Sequence, residues 1–368
     1  MSLQYVENSN KIIELESIRG IAALLVFLHH IPNWNNYFYQ MAIIRNSHLM
    51  VDLFFVLSGY VIYSSYGEKI NSFRSLLHFQ FLRLGRLYPI HLVLLTGFLI
   101  AEILKYYANT RFGVSFGRPA FENFRDGNVI ANLLMIQDLG ILKGTWSING
   151  PSWSIGIEFY IYLLFALICL SLQHIKLLMF SIISVVCIAT LLIINQESYD
   201  LYSNVLRGGA GFFLGCLVAT FSKRLKLINI HLPLVTQFIF FILTLLFLVI
   251  KPESRQFDVL IYILSASLII SLIHTLDNPF KWLLRTKIFT ELGKISYSLY
   301  MCHMLIIWTV SNVLQFIIHK LQMNDTLKFS LAYVATIIIT ISISYFLFYM
   351  VEKPYREKSR KIASKLLV

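Results

Sequence analysis

Charge is what this 368-residue chain has least of. Asp, Glu, Lys and Arg make up only 14% of it, against about 25% in soluble domains. With 57% hydrophobic residues and a mean hydropathy of +0.69, that shortage excludes a large soluble domain and predicts an all-α, polytopic membrane protein. Acidic residues are the scarcer sign, 19 against 31 Lys and Arg, which leaves a formal net charge of +12. In so apolar a chain this excess reads as a membrane-surface signature, with the lipid bilayer as partner and no nucleic acid. Cysteine is sparse as well. Cys169, Cys187, Cys216 and Cys302 lie inside apolar runs, with no Cys-x-x-Cys or Cys/His zinc spacing; the expectation is small buried hydrophobes, no structural disulfide and no metal. The first apolar run lacks a small-residue cleavage site, so it reads as a retained helix and not a signal peptide. No repeat relates the two halves and no long linker separates them, which predicts one compact helical domain over 1–368.

The apolar runs predict about ten transmembrane helices, near 18–33, 48–66, 88–107, 153–171, 177–194, 204–221, 232–250, 257–275, 295–318 and 329–350. The weak run Val129 to Leu142 contains Gln137 and Asp138 and reads as a surface or re-entrant segment. If the N-terminus is cytoplasmic, Lys and Arg fall about two to one on the inner segments, from Lys11 and Arg19 to the basic tail after Lys353. That bias predicts both termini in the cytoplasm.

Polar residues within these spans are expensive and serve as functional candidates. The chain is organised around SIRGIAALLVFLHHIP, Ser17 to Pro32. On a helix, Arg19 and His30 lie about 20° apart in projection and roughly 16 Å apart along the axis, whereas His29 points about 80° away. This puts a cation at one membrane edge and a titratable base near mid-depth, on one stripe. In the second span Asp52 and Gly59 share a face and Ser58 lies about 120° from it. Asp52 either orients a neighbour in a polar cavity or is solvated at the interface; Ser58-Gly59 either serves that cavity or packs helices through small residues. Arg83 and Arg86 present neighbouring guanidinium forks suited to phosphate, or anchor the inner surface. Pro89 is expected at a helix start. Beyond Trp153, at an interfacial position, Ser154, Glu158 and Tyr162 form a polar stripe about two turns deep. Glu158 there needs a cation, a proton or water, unless it belongs to a packing ion pair. Arg207 precedes a glycine-rich run near the outer face, and Ser296, Tyr300 and His303 fall within about 40° of one another. His303 is either a satisfied core histidine or part of the same cavity. Glu352 and Pro354 are read as closing the last helix.

The sequence resembles the acyltransferase-3 family of integral membrane acyltransferases. The resemblance rests on Arg19-x10-His30, VDLFFVLSGY (Val51 to Tyr60), Arg83-x-x-Arg86 with Tyr88-Pro89, PSWSIGIEFYIY (Pro151 to Tyr162), SYSLYMCH (Ser296 to His303) and VEKPYR (Val351 to Arg356). These occur in family order from one end of the chain to the other. Family members often carry a bulky aromatic where this chain has Ile161. The chain looks like the stand-alone form, without an attached SGNH-type domain.

The resemblance implies a multi-pass protein of the cell inner (plasma) membrane that transfers an acyl group, usually acetyl, from cytoplasmic acyl-CoA. The receiver is a hydroxyl of an extracytoplasmic or lipid-linked glycan, such as lipopolysaccharide O-antigen, peptidoglycan or exopolysaccharide. Acetyl-CoA is then a donor substrate, and no permanently bound cofactor is expected. The residues suit that chemistry. Arg19, Arg83 and Arg86 are the candidate donor-phosphate ligands. His30 is the candidate general base that a sugar hydroxyl needs, with Asp52 or Glu158 orienting it. Ser58, Trp153, Ser154, Arg207, Ser296 and His303 are placed in the cavity or on the acceptor side. A covalent relay through Ser58 is less favoured, because its own helix provides no base beside it. Trp34, Tyr37, Tyr39 and Trp146 in the outer loops either stack on sugar rings or anchor the interface. The competing class is a transporter or flippase of a lipid-linked sugar, which predicts inverted repeats and broken helices.

Overall fold

A computed structural model describes residues 12–34, 36–114, 118–125, 127–142, 144–194, 196–228, 231–318 and 324–366. Lys11, counted among the inner cations, lies outside the described residues. The long helices are α1 (Ile13–His30), α2 (Met50–Tyr66), α3 (Phe73–Phe112), α4 (Ser152–Ser171), α5 (Lys176–Ile193), α6 (Gln196–Leu227), α7 (Val235–Ile250), α8 (Leu260–His274), α9 (Lys287–Ile318), α10 (Asp325–Leu347) and α11 (Lys353–Leu366). Among the described residues there is no strand. A helix lies at each of the ten predicted segments, and among the described residues 7 segments qualify as membrane spans by length and apolar composition. Three positions fall outside that count. α1 carries Glu14, Glu16 and Arg19, α7 has only 16 residues, and α9 is diluted by Ser296, Ser298, His303 and Asn312.

Two features differ from the sequence expectation. α3 is 40 residues long, about 60 Å, so Arg83 and Arg86 sit on a helix and not in a loop. Pro89 lies inside α3, where it removes the amide that would bond the Gly85 carbonyl. The chain is also not closed after α10. A π-helical turn, Phe348–Glu352, joins α10 directly to α11.

Apolar burial drives little association between helices in lipid, so close packing and buried polar contacts must hold the bundle. α2 and α6 meet backbone to backbone: a Cβ at Gly59 would fall 1.9 Å from the Phe212 carbonyl oxygen, and one at Gly215 would fall 2.1 Å from that of Val56. Gly20 of α1 and Gly293 of α9 meet in the same way. Beside the α2/α6 contact, Phe165, Phe180, Phe212 and Phe213 form a fully buried aromatic cluster, with Phe180 and Phe213 5.3 Å apart; each such pair contributes about 0.5–1.5 kcal/mol. Gly59→Ala is therefore expected to lower the thermal midpoint in detergent. Gly150→Ala, whose Cβ would meet only the Met304 side chain at 3.7 Å, should leave that midpoint unchanged. Equal midpoints would mean that the α2/α6 contact yields easily.

The segment before α4 is fixed by buried amides. Asn132 donates to the Trp146 carbonyl at 2.9 Å and accepts from the Ile148 amide at 3.0 Å, and Asn149 donates to the Met301 carbonyl of α9 at 2.9 Å. The run read as a surface or re-entrant segment forms a short helix, Asn128–Leu133, followed by turns. Asn149 thereby sets the start of α4 against α9, which aligns the polar stripe of α4.

Candidate active site

Between α1, α2, α3, α4 and α9 lies an open cavity. Its polar lining is Arg19, Ser58, Arg86, Ser154, Glu158, Tyr162, Ser296, Tyr297 and Tyr300. Six of the twelve candidate site residues, taken from five helices, thus meet around one space: Arg19, Ser58, Arg86, Ser154, Glu158 and Ser296.

The centre of the wall is a triangle. Ser58 Oγ donates to Glu158 Oε1 at 2.5 Å, the Tyr162 hydroxyl donates to the same oxygen, and Ser58 and Tyr162 lie 2.7 Å apart. The helix period explains it: Glu158 and Tyr162 are one turn apart on α4, and Ser58 reaches them because it points away from the Gly59 face of α2. α2 supplies no base beside Ser58, but α4 supplies a carboxylate across the helix interface. One turn up, Ser154 Oγ bonds the Tyr300 hydroxyl at 2.9 Å.

Arg19 and Arg86 line the cavity toward the end where α1 starts. Arg86 lies in the field of Tyr162, Glu352, Glu158 and Glu16. Glu352 is a residue that sequence reading assigned only to helix closure. It is 3% exposed on the π turn and accepts from Ser298 Oγ at 2.7 Å. A carboxylate inside VEKPYR gave the signal, but the π turn that aims it did not show in the sequence. Arg83 is not part of the cavity lining. Its guanidinium packs over the Tyr66 and Phe79 rings, at 5.3 and 5.6 Å, and donates to the Tyr66 hydroxyl at 3.4 Å.

His30 does not line the cavity either. It is half-buried at the end of α1, with Nδ1 donating to the Val26 carbonyl at 2.8 Å. A carbonyl can only accept, so the proton sits on Nδ1 and Nε2 keeps its lone pair. Its ring lies 5.0 Å from that of His303, which is 6.0 Å from Tyr300. Tyr300 is the wall shared by the cavity and the two histidines, and Phe54 packs edge-to-face on it at 5.7 Å.

Asp52 is not beside His30. It is 2% exposed and binds Arg207 through both oxygens, Nε to Oδ1 at 3.0 Å and Nη2 to Oδ2 at 2.9 Å, with the Tyr262 hydroxyl also on Oδ1 at 3.0 Å. An arginine from α6 and a tyrosine from α8 thus occupy the carboxylate expected to orient the imidazole. Trp153 stacks on this pair, its ring 4.9 Å from the Arg207 guanidinium. Trp153 and Arg207 are packed together away from the cavity lining. Tyr37, Tyr39 and Trp146 are exposed and Trp34 is half-buried. The four cysteines are free, and among the described residues no His, Cys, Asp and Glu cluster could hold a metal.

The family described as "Acyltransferase domain" (acyltransferase-3) matches residues 12–349. Among similar proteins, "Acyltransferase MdmB" of Streptomyces mycarofaciens is 31% identical over 172 residues, 43% of this chain and 40% of that protein. "Putative peptidoglycan O-acetyltransferase YrhL" of Bacillus subtilis (strain 168) is 25% identical over 390 residues, 95% of this chain and 56% of that protein. The chain spans about half the length of the curated relatives it matches. No solved structure matches.

Proposed function

The chain belongs to the acyltransferase-3 family, whose members transfer acyl groups in membranes, and from that premise we propose that it moves acetyl from cytoplasmic acetyl-CoA to a glycan hydroxyl outside. The observation that carries this reading is the cavity, in which two guanidiniums, Arg19 and Arg86, share a wall with the Ser58–Glu158–Tyr162 triangle. A polyanionic donor needs cations on its own side, and the two-to-one bias of basic residues supports placing that end in the cytoplasm. Peptidoglycan is the acceptor class favoured by the name of the Bacillus relative.

In the transfer itself, the acceptor hydroxyl attacks the thioester carbonyl as His30 Nε2 takes its proton. The tetrahedral intermediate collapses, and the CoA sulfur leaves with that proton as a thiol. The Nδ1 bond to Val26 supports this role, since it presents Nε2 as the acceptor without any carboxylate. Tyr300, which lines the cavity and lies 6.0 Å from His303, stands between the cavity and the histidine pair, so the thioester must pass it or displace it. A second reading is favoured by the 2.5 Å contact of Ser58 with Glu158. Ser58 Oγ attacks the thioester, Glu158 takes its proton and returns it to the leaving thiolate, and the resulting ester is then passed to the acceptor hydroxyl.

Labelled acetyl-CoA offered to membranes tests the function. Label entering glycan, or slow release of free CoA, is expected; a flippase for lipid-linked sugar would leave acetyl-CoA untouched. Label retained on the protein, and absent from Ser58→Ala, would select the second reading. Arg86→Ala should weaken acetyl-CoA binding by about 10- to 100-fold, the worth of one charged hydrogen-bonding group, with the loss smaller at high salt. Unchanged affinity would mean that Arg86 serves only to balance the acidic groups around it.

A further inference from the structure

Glu352 has no part in the chemistry assigned so far, yet the π turn between α10 and α11 turns its carboxylate into the bundle. It is 3% exposed, lies off the cavity lining, and among the described residues accepts one hydrogen bond, from Ser298 Oγ at 2.7 Å. A buried carboxylate with a single neutral donor needs positive charge nearby.

Its place beside the cavity is fixed by two contacts. Consecutive residues of α9 make the first: Tyr297, which lines the cavity, donates to the Leu87 carbonyl at 2.6 Å, and Ser298 donates to Glu352. Leu87 follows Arg86 on α3, so one turn of α9 bridges the Arg86 segment and the π turn. The second contact joins α3 to α11 directly. A Cβ at Gly85, the residue before Arg86, would fall 1.8 Å from Ser359 Oγ of α11. Of the charges that act on Glu352, Arg86 is foremost, followed by Arg356, four residues along the chain, and Arg19.

That attraction stops short of contact. Among the described residues neither Arg19 nor Arg86 makes a hydrogen bond or an ion pair, and both line the cavity. Their N–H donors therefore stay open to a ligand, while the carboxylate behind them offsets positive charge that burial would otherwise leave stranded. Glu158 differs, because it lines the cavity and is committed to Ser58 and Tyr162. Glu352 acts on a ligand in the cavity only through its charge. Once that ligand is a polyanion, the same charge opposes it through a protein interior that screens poorly.

We propose that Glu352 is the resident counter-charge of the Arg19–Arg86 site: it balances the guanidiniums while the cavity is empty and repels the phosphates of the product, so that CoA leaves after transfer. This rests on the donor reading above. It goes beyond that reading by assigning product release to a residue that touches neither donor nor product.

Two probes test it on protein in nanodiscs at low salt: CoA, and uncharged pantetheine, which is the thiol arm of CoA without its phosphates. Glu352→Gln keeps an oxygen that can accept from Ser298 and removes the charge. The variant is expected to bind CoA about 10-fold more tightly, the order of effect of one charge at an effective dielectric of about 20, and to release it more slowly. Pantetheine affinity should not change, and the gain for CoA should shrink as salt is raised. CoA affinity that falls or stays the same, or pantetheine affinity that moves with it, would make Glu352 a packing residue and overturn the proposal. If Glu352→Gln fails to fold, the comparison is made between Arg86→Gln and the double variant Arg86→Gln with Glu352→Gln, which has lost one charge of each sign; the same tightening is expected. Folded wild-type protein that binds no CoA would be a separate failure, that of the donor reading, and this proposal would go with it.

Discussion

His30→Ala is expected to reduce acetyl transfer by about 10²- to 10⁴-fold, the usual contribution of a general base, while acetyl-CoA still binds. Binding should survive because Arg19 and Arg86 line the cavity and His30 does not. The Nδ1 bond to the Val26 carbonyl is the reason to expect so large an effect, because it fixes one tautomer and one ring orientation in advance. The measurement is transfer of label from acetyl-CoA in membranes, paired with a binding assay for the donor on the same preparation. His30→Gln is the companion variant: it keeps a polar side chain of similar reach, cannot take a proton, and should be as inactive as alanine. If both variants transfer label at the wild-type rate, the base is Glu158, which already holds Ser58 at 2.5 Å. If binding falls as well, the cavity and the histidine pair are one compartment, and Tyr300 does not separate them in the working protein.

What the sequence made legible was local. Helical spacing placed Arg19 and His30 on one stripe, put Ser154, Glu158 and Tyr162 on one face, and separated Ser58 from the Asp52–Gly59 face of α2. The second and third of these hold in the structure, because the period of a helix fixes direction over a few turns, whereas of the first pair Arg19 lines the cavity and His30 does not. The partners across helices were not legible. Asp52 and Arg207 are 155 positions apart, Ser58 and Glu158 are 100 apart, and nothing in a single chain of residues pairs them. Asp52 was therefore matched to the wrong cation, a histidine instead of an arginine. Helix boundaries misled for a related reason. Apolar runs mark the part of a helix that meets lipid, so α3 was placed near 88–107 whereas the helix begins at Phe73. Arg83 then looked free to grip phosphate, when its place on the helix sets it against the Tyr66 and Phe79 rings.

Asp52→Ala should be the most damaging substitution to the fold and not to the chemistry. The Asp52 carboxylate is 2% exposed, and it neutralises an Arg207 side chain that is only 15% exposed and covered by Trp153. Removing one partner leaves a charge stranded in a low-dielectric interior, at a cost of about 3–5 kcal/mol. Removing both does not. Asp52→Leu with Arg207→Leu should recover most of the lost stability, because a buried pair replaced by apolar residues of similar volume is often neutral. The Tyr262 hydroxyl, left without its 3.0 Å bond to Asp52, sets the remaining deficit. Thermal midpoints in one detergent for the two single variants and the double form a cycle whose coupling reads the pair directly. The same proteins also decide what Asp52 does. A double variant that is folded and still transfers acetyl makes the pair a clamp between α2 and α6. One that is folded and inactive, with donor binding intact, would assign the clamp to the acceptor side, since Arg207 lies near the end of the bundle opposite Arg19 and Arg86.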